Sequence, residues 1–205
     1  MPRAFNKSEL QNIRATLLRT GRAAAQQGRL RKSSIAELSR AAGISKGAFY
    51  RFFPSKEALY VSVLQEVETE IRVGLTAAAA EGLAPLLHKM FTTAADYPTI
   101  GALADPDELA WLMRGVSPEV VEANRANDNA YFVGLLSDLQ ERGEVRHDIE
   151  PEAFCALAPA ALVLALGQDL IGPNRLQVVL NLLVEGLYQS LRPQPSPSPP
   201  AEPHP

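Results

Sequence analysis

The residues able to do covalent or metal chemistry are few and scattered. His88, His147 and His204 lie far apart and lack ligand spacing. The single cysteine, Cys155, sits in an apolar run, the setting of a small core residue. Glu66, Glu68 and Glu70 bring three carboxylates close together in sequence. Their alternate spacing spreads them round a helix, so they read as a solvated face and not as an acid–base pair. There is no nucleophile elbow and no glycine-rich phosphate loop. The expectation is no enzyme, no metal and no cofactor.

Contact with a polyanion is the chemistry that the residue types do support, and it concentrates between Ser33 and Lys56. Ser33, Ser34 and Lys56 fall at or next to helix N-termini, where amides and hydroxyls can hold phosphates. Ser45 would cap a short helix led by Lys46 and Gly47, and Tyr50 carries a phenol long enough to reach a DNA backbone. For each serine, capping alone is the competing reading.

The elements that must position these groups are legible around them. Ser34 and Glu37 form a capping box, and Ile35, Leu38 and Ala42 give the helix one apolar face. Gly43 supplies the left-handed residue that ends it, and Ile44 can plug the turn. Phe49, Phe52 and Phe53 can anchor the inner side of the second helix. Pro54 stops that helix, and Ser55 caps a new one from Lys56. This is a helix-turn-helix pattern. Its second helix begins with little bulk, as entry into a major groove about 12 Å wide requires.

The run Ala42-Gly43-Ile44-Ser45-Lys46-Gly47-Ala48-Phe49-Tyr50-Arg51-Phe52-Phe53, followed by Ser55-Lys56-Glu57-Ala58-Leu59, resembles the TetR family of bacterial regulators. Two departures accompany the likeness: the stretch Gly28–Lys32 is more basic than the usual loop, and Phe52 stands where many members carry His. The resemblance implies that Lys46 and Gly47 approach base edges and backbone. It also implies that the remainder senses a ligand and dimerises, and that repression is the default direction.

Charge divides the 205 residues in the same way. Residues 1–60 hold 12 Lys/Arg against 3 Asp/Glu, whereas residues 61–205 hold 8 against 20. A basic head on an acidic body fits a polyanion-binding module joined to something else. There is no signal-peptide segment, and the longest apolar run, from Ala153 to Gly167, is too short to span a bilayer and is interrupted by Pro159. The expectation is a cytoplasmic protein without a membrane partner.

Taken in order, residues 1–7 read as a loose basic arm, and Ser8 with Gln11 as the start of a first helix whose inner face is Leu10, Ile13, Leu17 and Leu18. Gly21, Ala24 and Ala25 offer a thin surface for close packing. The helix from Lys56 keeps an apolar period through Tyr60, Leu64, Val67, Ile71 and Leu75 and links head to body. Helices follow over Leu83–Ala95, from Asp105-Pro106 through Trp111, and from Ser117-Pro118 to about Arg142. Pro151–Leu170 reads as one helix, apolar nearly all round, and Asn174–Leu191 as the last. The proline-rich end is expected to be disordered.

The fold expected is all-α. A three-helix helix-turn-helix DNA-binding head (1–54) precedes a larger helical ligand-binding and dimerisation body (55–191) and a Pro-rich tail (192–205). The expected partners are a palindromic double-stranded DNA operator, a small apolar effector and a second copy of the chain as a homodimer. Met90, Phe91, Trp111, Met113, Tyr131 and Phe132 are candidate pocket residues, with ordinary core packing as the alternative. Trp111 is expected in the body, away from the head. The alternative function is a helical ligand carrier or interaction protein with an incidental basic head.

Overall fold

The computed structural model describes residues 5–29, 31–101, 106–167 and 171–194, and contains no strand among them. The head is built from α1 (Lys7–Gln26), α2 (Ile35–Ala41) and α3 (Lys46–Phe49), closed by the first turns of α4 (Lys56–Glu81). The body continues with α5 (Leu83–Asp96), α6 (Pro98–Gly101), α7 (Pro106–Arg114) and α8 (Pro118–Glu141), then α9 (Pro151–Cys155), α10 (Leu157–Leu166) and α11 (Pro173–Leu191). Asp105 and residues 195–205 of the tail lie outside the described residues.

Local signals fix the head. The capping box of Ser34 and Glu37 forms, and Ile44 returns its amide to the Ser39 carbonyl across Gly43 at φ +68°. Ser45 and Ser55 accept from the amides of Ala48 and Ala58. The start of α1 differs from expectation. Asn6 caps it, with Glu9 closing the box, and Ser8 lies inside the first turn. The Asn6–Glu9 box satisfies the amides of Asn6 and Glu9, with a charged carboxylate as a stronger reciprocal acceptor than the Gln11 amide would be.

The head core is Leu17, Leu18, Leu38, Phe49 and Phe53 together with Leu59 and Val63 of α4. Its packing unit therefore extends beyond residue 54. Gly21 allows the approach of α1 to α4, since a Cβ there would lie 3.3 Å from Val63 Cγ2. At its other end α4 enters a second core with Leu86, Leu87, Leu136, Leu139 and Phe154. The corner between α4 and α5 turns at Gly82. Arg142 donates to the carbonyls of Ala79 and Ala80, and Glu144 accepts from the Leu83 amide at 2.7 Å. A cation thus covers a helix C-terminus and an anion the next N-terminus, complementing both dipoles.

One helix expected as continuous is broken. Ala156 separates α9 from α10. Pro159 has no amide for the Cys155 carbonyl, and its ring crowds that carbonyl, so the ladder yields one turn upstream.

Gly82 has φ +131° and ψ 179°, and a Cβ there would come within 2.8 Å of the Glu144 carboxylate. Gly82→Ala should lower the free energy of unfolding by about 1–3 kcal/mol, measured by urea titration.

Candidate functional site

The reading pair presents its leading residues to solvent. Lys46 and Gly47 are exposed, and the space beside the Gly47 Cα is open apart from Ser45 Oγ at 4.0 Å. Tyr50 is 50% exposed, with its ring set edge-on against buried Phe49 at 5.7 Å, so the ring is buttressed and the phenol is free to project. Ser34 and Ser45 are exposed and accept backbone amides through their oxygens. Each keeps its hydroxyl proton to donate elsewhere, so capping and phosphate contact are compatible. Arg40 and Arg51 are further exposed cations in this region. In sequence alone a basic side chain on a helix is uninformative without the surface that it faces.

Two expected phosphate ligands point inward instead. Ser33 is only 7% exposed, and its hydroxyl lies 2.7 Å from that of Tyr60 in α4. The Lys56 ammonium donates to the carbonyls of Arg31 at 2.7 Å and Ser33 at 2.9 Å. It stands 4.6 Å from the centre of the Trp111 ring. Its hydrogen bonds are spent on the loop between α1 and α2, because the start of α4 faces that loop and not solvent. Burial lowers the Lys56 pKa, opposed by the carboxylates of Glu57 and Glu108.

Trp111 is thus at the junction of head and body, where its ring meets Tyr60 edge-on at 6.0 Å. The expectation that it lies away from the head is corrected. The C-terminal turn of α7 presses on the first turn of α4, and a Cβ on Gly115 would overlap the Glu57 side chain. Glu108, 5% exposed, accepts the Arg31 amide at 2.8 Å.

Behind this junction the body holds a cavity of about 900 Å³. Met90, Met113, Tyr131 and Phe132 line it, whereas Phe91 and Trp111 do not. Phe91 is buried within the body core, and Trp111 faces the head. Most of the wall is aliphatic, including Val61, Leu64, Ile71, Leu112 and Leu162. One side is charged. Arg72 of α4 pairs with Glu68 at 2.5 Å and with Asp128 of α8 at 2.7 Å, and its guanidinium lies 5.1 Å from the Tyr131 ring. Tyr131 in turn donates to the Arg72 carbonyl at 2.9 Å. Burial raises the pKa of Glu68, and the charge of Asp128 adds to it. Sequence reading missed this group. The signal available was the Glu68–Arg72 spacing of four on a helix. The partnership with α8 is tertiary.

Residues 17–63 match the family model described as bacterial regulatory proteins, tetR family. No curated protein matches the sequence. Among solved structures, the chain is similar to a TetR-family transcriptional regulator from Pectobacterium atrosepticum, with a TM-score of 0.70 and 24% identity, covering 93% of this chain and all of that one. A putative TetR-family regulator from Rhodococcus sp. gives 0.66 at 14% identity over 87% of this chain and 99% of its own. The ketosteroid regulator KstR2 of Mycobacterium tuberculosis gives 0.56 at 18% identity over 88% and 95%.

The Lys56 environment makes a pH-dependent prediction. Between its lowered value in the folded chain and the ordinary 10.5, the unfolded chain binds this proton more tightly, so the contribution of Lys56 to stability rises with pH. Urea unfolding of wild type and Lys56→Met should give a difference in unfolding free energy, wild type minus variant, that increases from about pH 8 to about pH 11. A difference that falls with pH would mean that Glu57 and Glu108 outweigh burial.

Proposed function

We propose that this chain, with a head matching the TetR family and the fold of TetR-family transcriptional regulators, represses transcription by binding a palindromic operator as a dimer. A small, mainly apolar molecule entering the body's cavity releases it. The observation that carries the reading is a basic head with an open reading helix, joined through α4 to a bundle with an aliphatic cavity of about 900 Å³. Ser34, Ser45 and Tyr50 hold phosphates in this reading, and Lys46 and Gly47 approach base edges and backbone, with the Lys46 ammonium near a phosphate. Met90, Met113, Tyr131 and Phe132 contact the effector. Ser33 and Lys56 act indirectly, by fixing the loop ahead of α2.

A dimer sets two reading helices about 34 Å apart on one face of the duplex. Exposed apolar side chains on α10 and α11 support that assembly. Val163 and Leu182 are each 69% exposed, and Val178 and Leu183 also face outward. Water contact along such faces is unfavourable, and a second copy would cover them. An effector that prefers one spacing of the heads shifts operator affinity by its differential affinity for the two states, and by no more.

The decisive experiment is selection of duplexes from a random pool, followed by titration of the selected duplex in rising salt. With about six to eight phosphates neutralised per dimer, log affinity should fall with log salt with a slope of about −5 to −7. Lys46→Ala should flatten the slope, and Tyr50→Phe should weaken binding by about three- to tenfold, the worth of one hydrogen bond. A helical carrier would select no duplex and show no salt-dependent binding.

Leu182→Glu should shift the chain to monomer in light scattering at micromolar concentration and weaken duplex binding with it. A Leu182→Glu protein with the molar mass of wild type would remove α11 from the interface.

A further inference from the structure

We infer that the cavity takes a lipophilic monocation, an amine or comparable cation on an apolar body, whose charged group is met by Glu68 and Asp128. The inference deepens the regulatory reading above, on which its link to DNA rests, by naming the class of molecule. The apolar wall is long as well as wide. Along α4 it runs from Val61 to Leu75, about 21 Å at 1.5 Å per residue, and Met90, Leu112 and Leu162 close it from other helices. A space of about 900 Å³ walled in this way favours an apolar body.

The charged edge lies between those ends of α4, and its sign is unbalanced. The Glu68 and Asp128 carboxylates converge on one nitrogen of Arg72, Nη2, at 2.5 and 2.7 Å. Two carboxylates thus share one guanidinium, and one negative charge is left to be matched beside an apolar surface. Their side chains are 38% and 48% exposed, so Arg72 does not seal them off from a further partner. Burial raises the Glu68 pKa, and the charge of Asp128 and a hydrogen bond to its carboxyl add to it, so the pair is short of positive charge. A ligand with one positive charge supplies what Arg72 does not.

The other charged groups of the described wall do not reverse this sign. Arg125 of α8 and Glu152 of α9 add one charge of each kind, so three carboxylates stand against two guanidiniums. Arg125 precedes Asp128 by three residues on one face of α8, so an anion drawn to it meets that carboxylate as well. Arg72 is not open to an anion: two carboxylates and the Tyr131 ring, 5.1 Å away, surround its guanidinium. The Tyr131 hydroxyl donates to the Arg72 carbonyl at 2.9 Å, which holds that ring in place. A neutral ligand gains from the aliphatic wall alone, and an anion is desolvated beside charge of its own sign.

The test uses one apolar chain with three head groups. Decylammonium, decanol and decanoate each compete with Nile red, a neutral fluorescent probe, for the full chain at neutral pH. Decylammonium should bind about tenfold tighter than decanol, the worth of a hydrogen bond to a charged group, and decanoate should bind most weakly. Glu68→Gln and Asp128→Asn should each shrink the amine-to-alcohol ratio to about twofold or less, whereas Arg72→Gln should widen it, since the two carboxylates then have no cation of their own. The alcohol reports any change in the shape of the cavity, so the ratio isolates charge. A purely structural role of the cluster would leave that ratio unchanged. Decanol or decanoate bound as tightly as decylammonium by wild type, a ratio indifferent to all three substitutions, or no displacement by any of the compounds would overturn the inference. Decylammonium is then titrated into the complex with the selected duplex. Tight binding without release of DNA would leave the ligand class standing and refute the effector role.

Discussion

Burial of α4 by different partners along its length is the constraint on which the rest of the molecule depends. Leu59 and Val63 complete the head core, and Tyr60 fills the junction. Val61 and Leu64 wall the cavity, and Leu75 and Ala79 reach the far core. No stretch of this helix can shift without exposing apolar surface somewhere, at about 25 cal/mol per Å². The head and the body are therefore not free to tumble as beads on a linker. Their relation is set by a rigid element that belongs to both.

Where the two parts meet, polar groups take over from packing. A buried glutamate and a half-buried lysine would be costly if unpaired. Here the Lys56 ammonium has two carbonyls and an aromatic face, and Glu108 has a backbone amide. The arrangement contributes less to net stability than to definition, because hydrogen bonds specify distance and direction where aliphatic contacts do not.

The cavity belongs to the opposite regime. Its wall is mostly apolar, drawn from helices α4 to α10, whose side chains leave the space between them unfilled. The cluster Glu68–Arg72–Asp128 sets two carboxylates around one guanidinium that lies against Tyr131, and Arg125 and Glu152 are further charged residues of the wall. It bridges α4 to α8 and gives an otherwise greasy chamber one polar edge. α4 and α7 line both this chamber and the junction, so the cavity and the anchoring of the head share the same walls.

The sequence by itself determined whatever is local. Caps at Ser34, Ser45 and Ser55, the left-handed Gly43 and the apolar period of α4 depend on neighbours within a turn or two, and their order spells helix-turn-helix, although α3 ends at Phe49, ahead of the stop expected at Pro54. Helix ends were less secure where two caps compete within one turn, as at Asn6 and Ser8. Continuity is not read from apolar composition alone: a proline inside the run, Pro159, parts α9 from α10 one turn upstream. The direction of a side chain was decided only by tertiary structure. Ser33 and Lys56 have the residue types and helix positions of phosphate ligands, yet they face the protein because α4 passes under the loop between α1 and α2. Trp111 looks like a pocket aromatic from its apolar neighbours, yet it covers Lys56. Phe91 turns into the core, whereas Arg72 and Asp128, unremarkable in sequence and 56 residues apart, meet across the cavity. Periodicity tells which residues share a face of a helix. What that face meets depends on how the helices pack, and that is fixed by the whole chain at once.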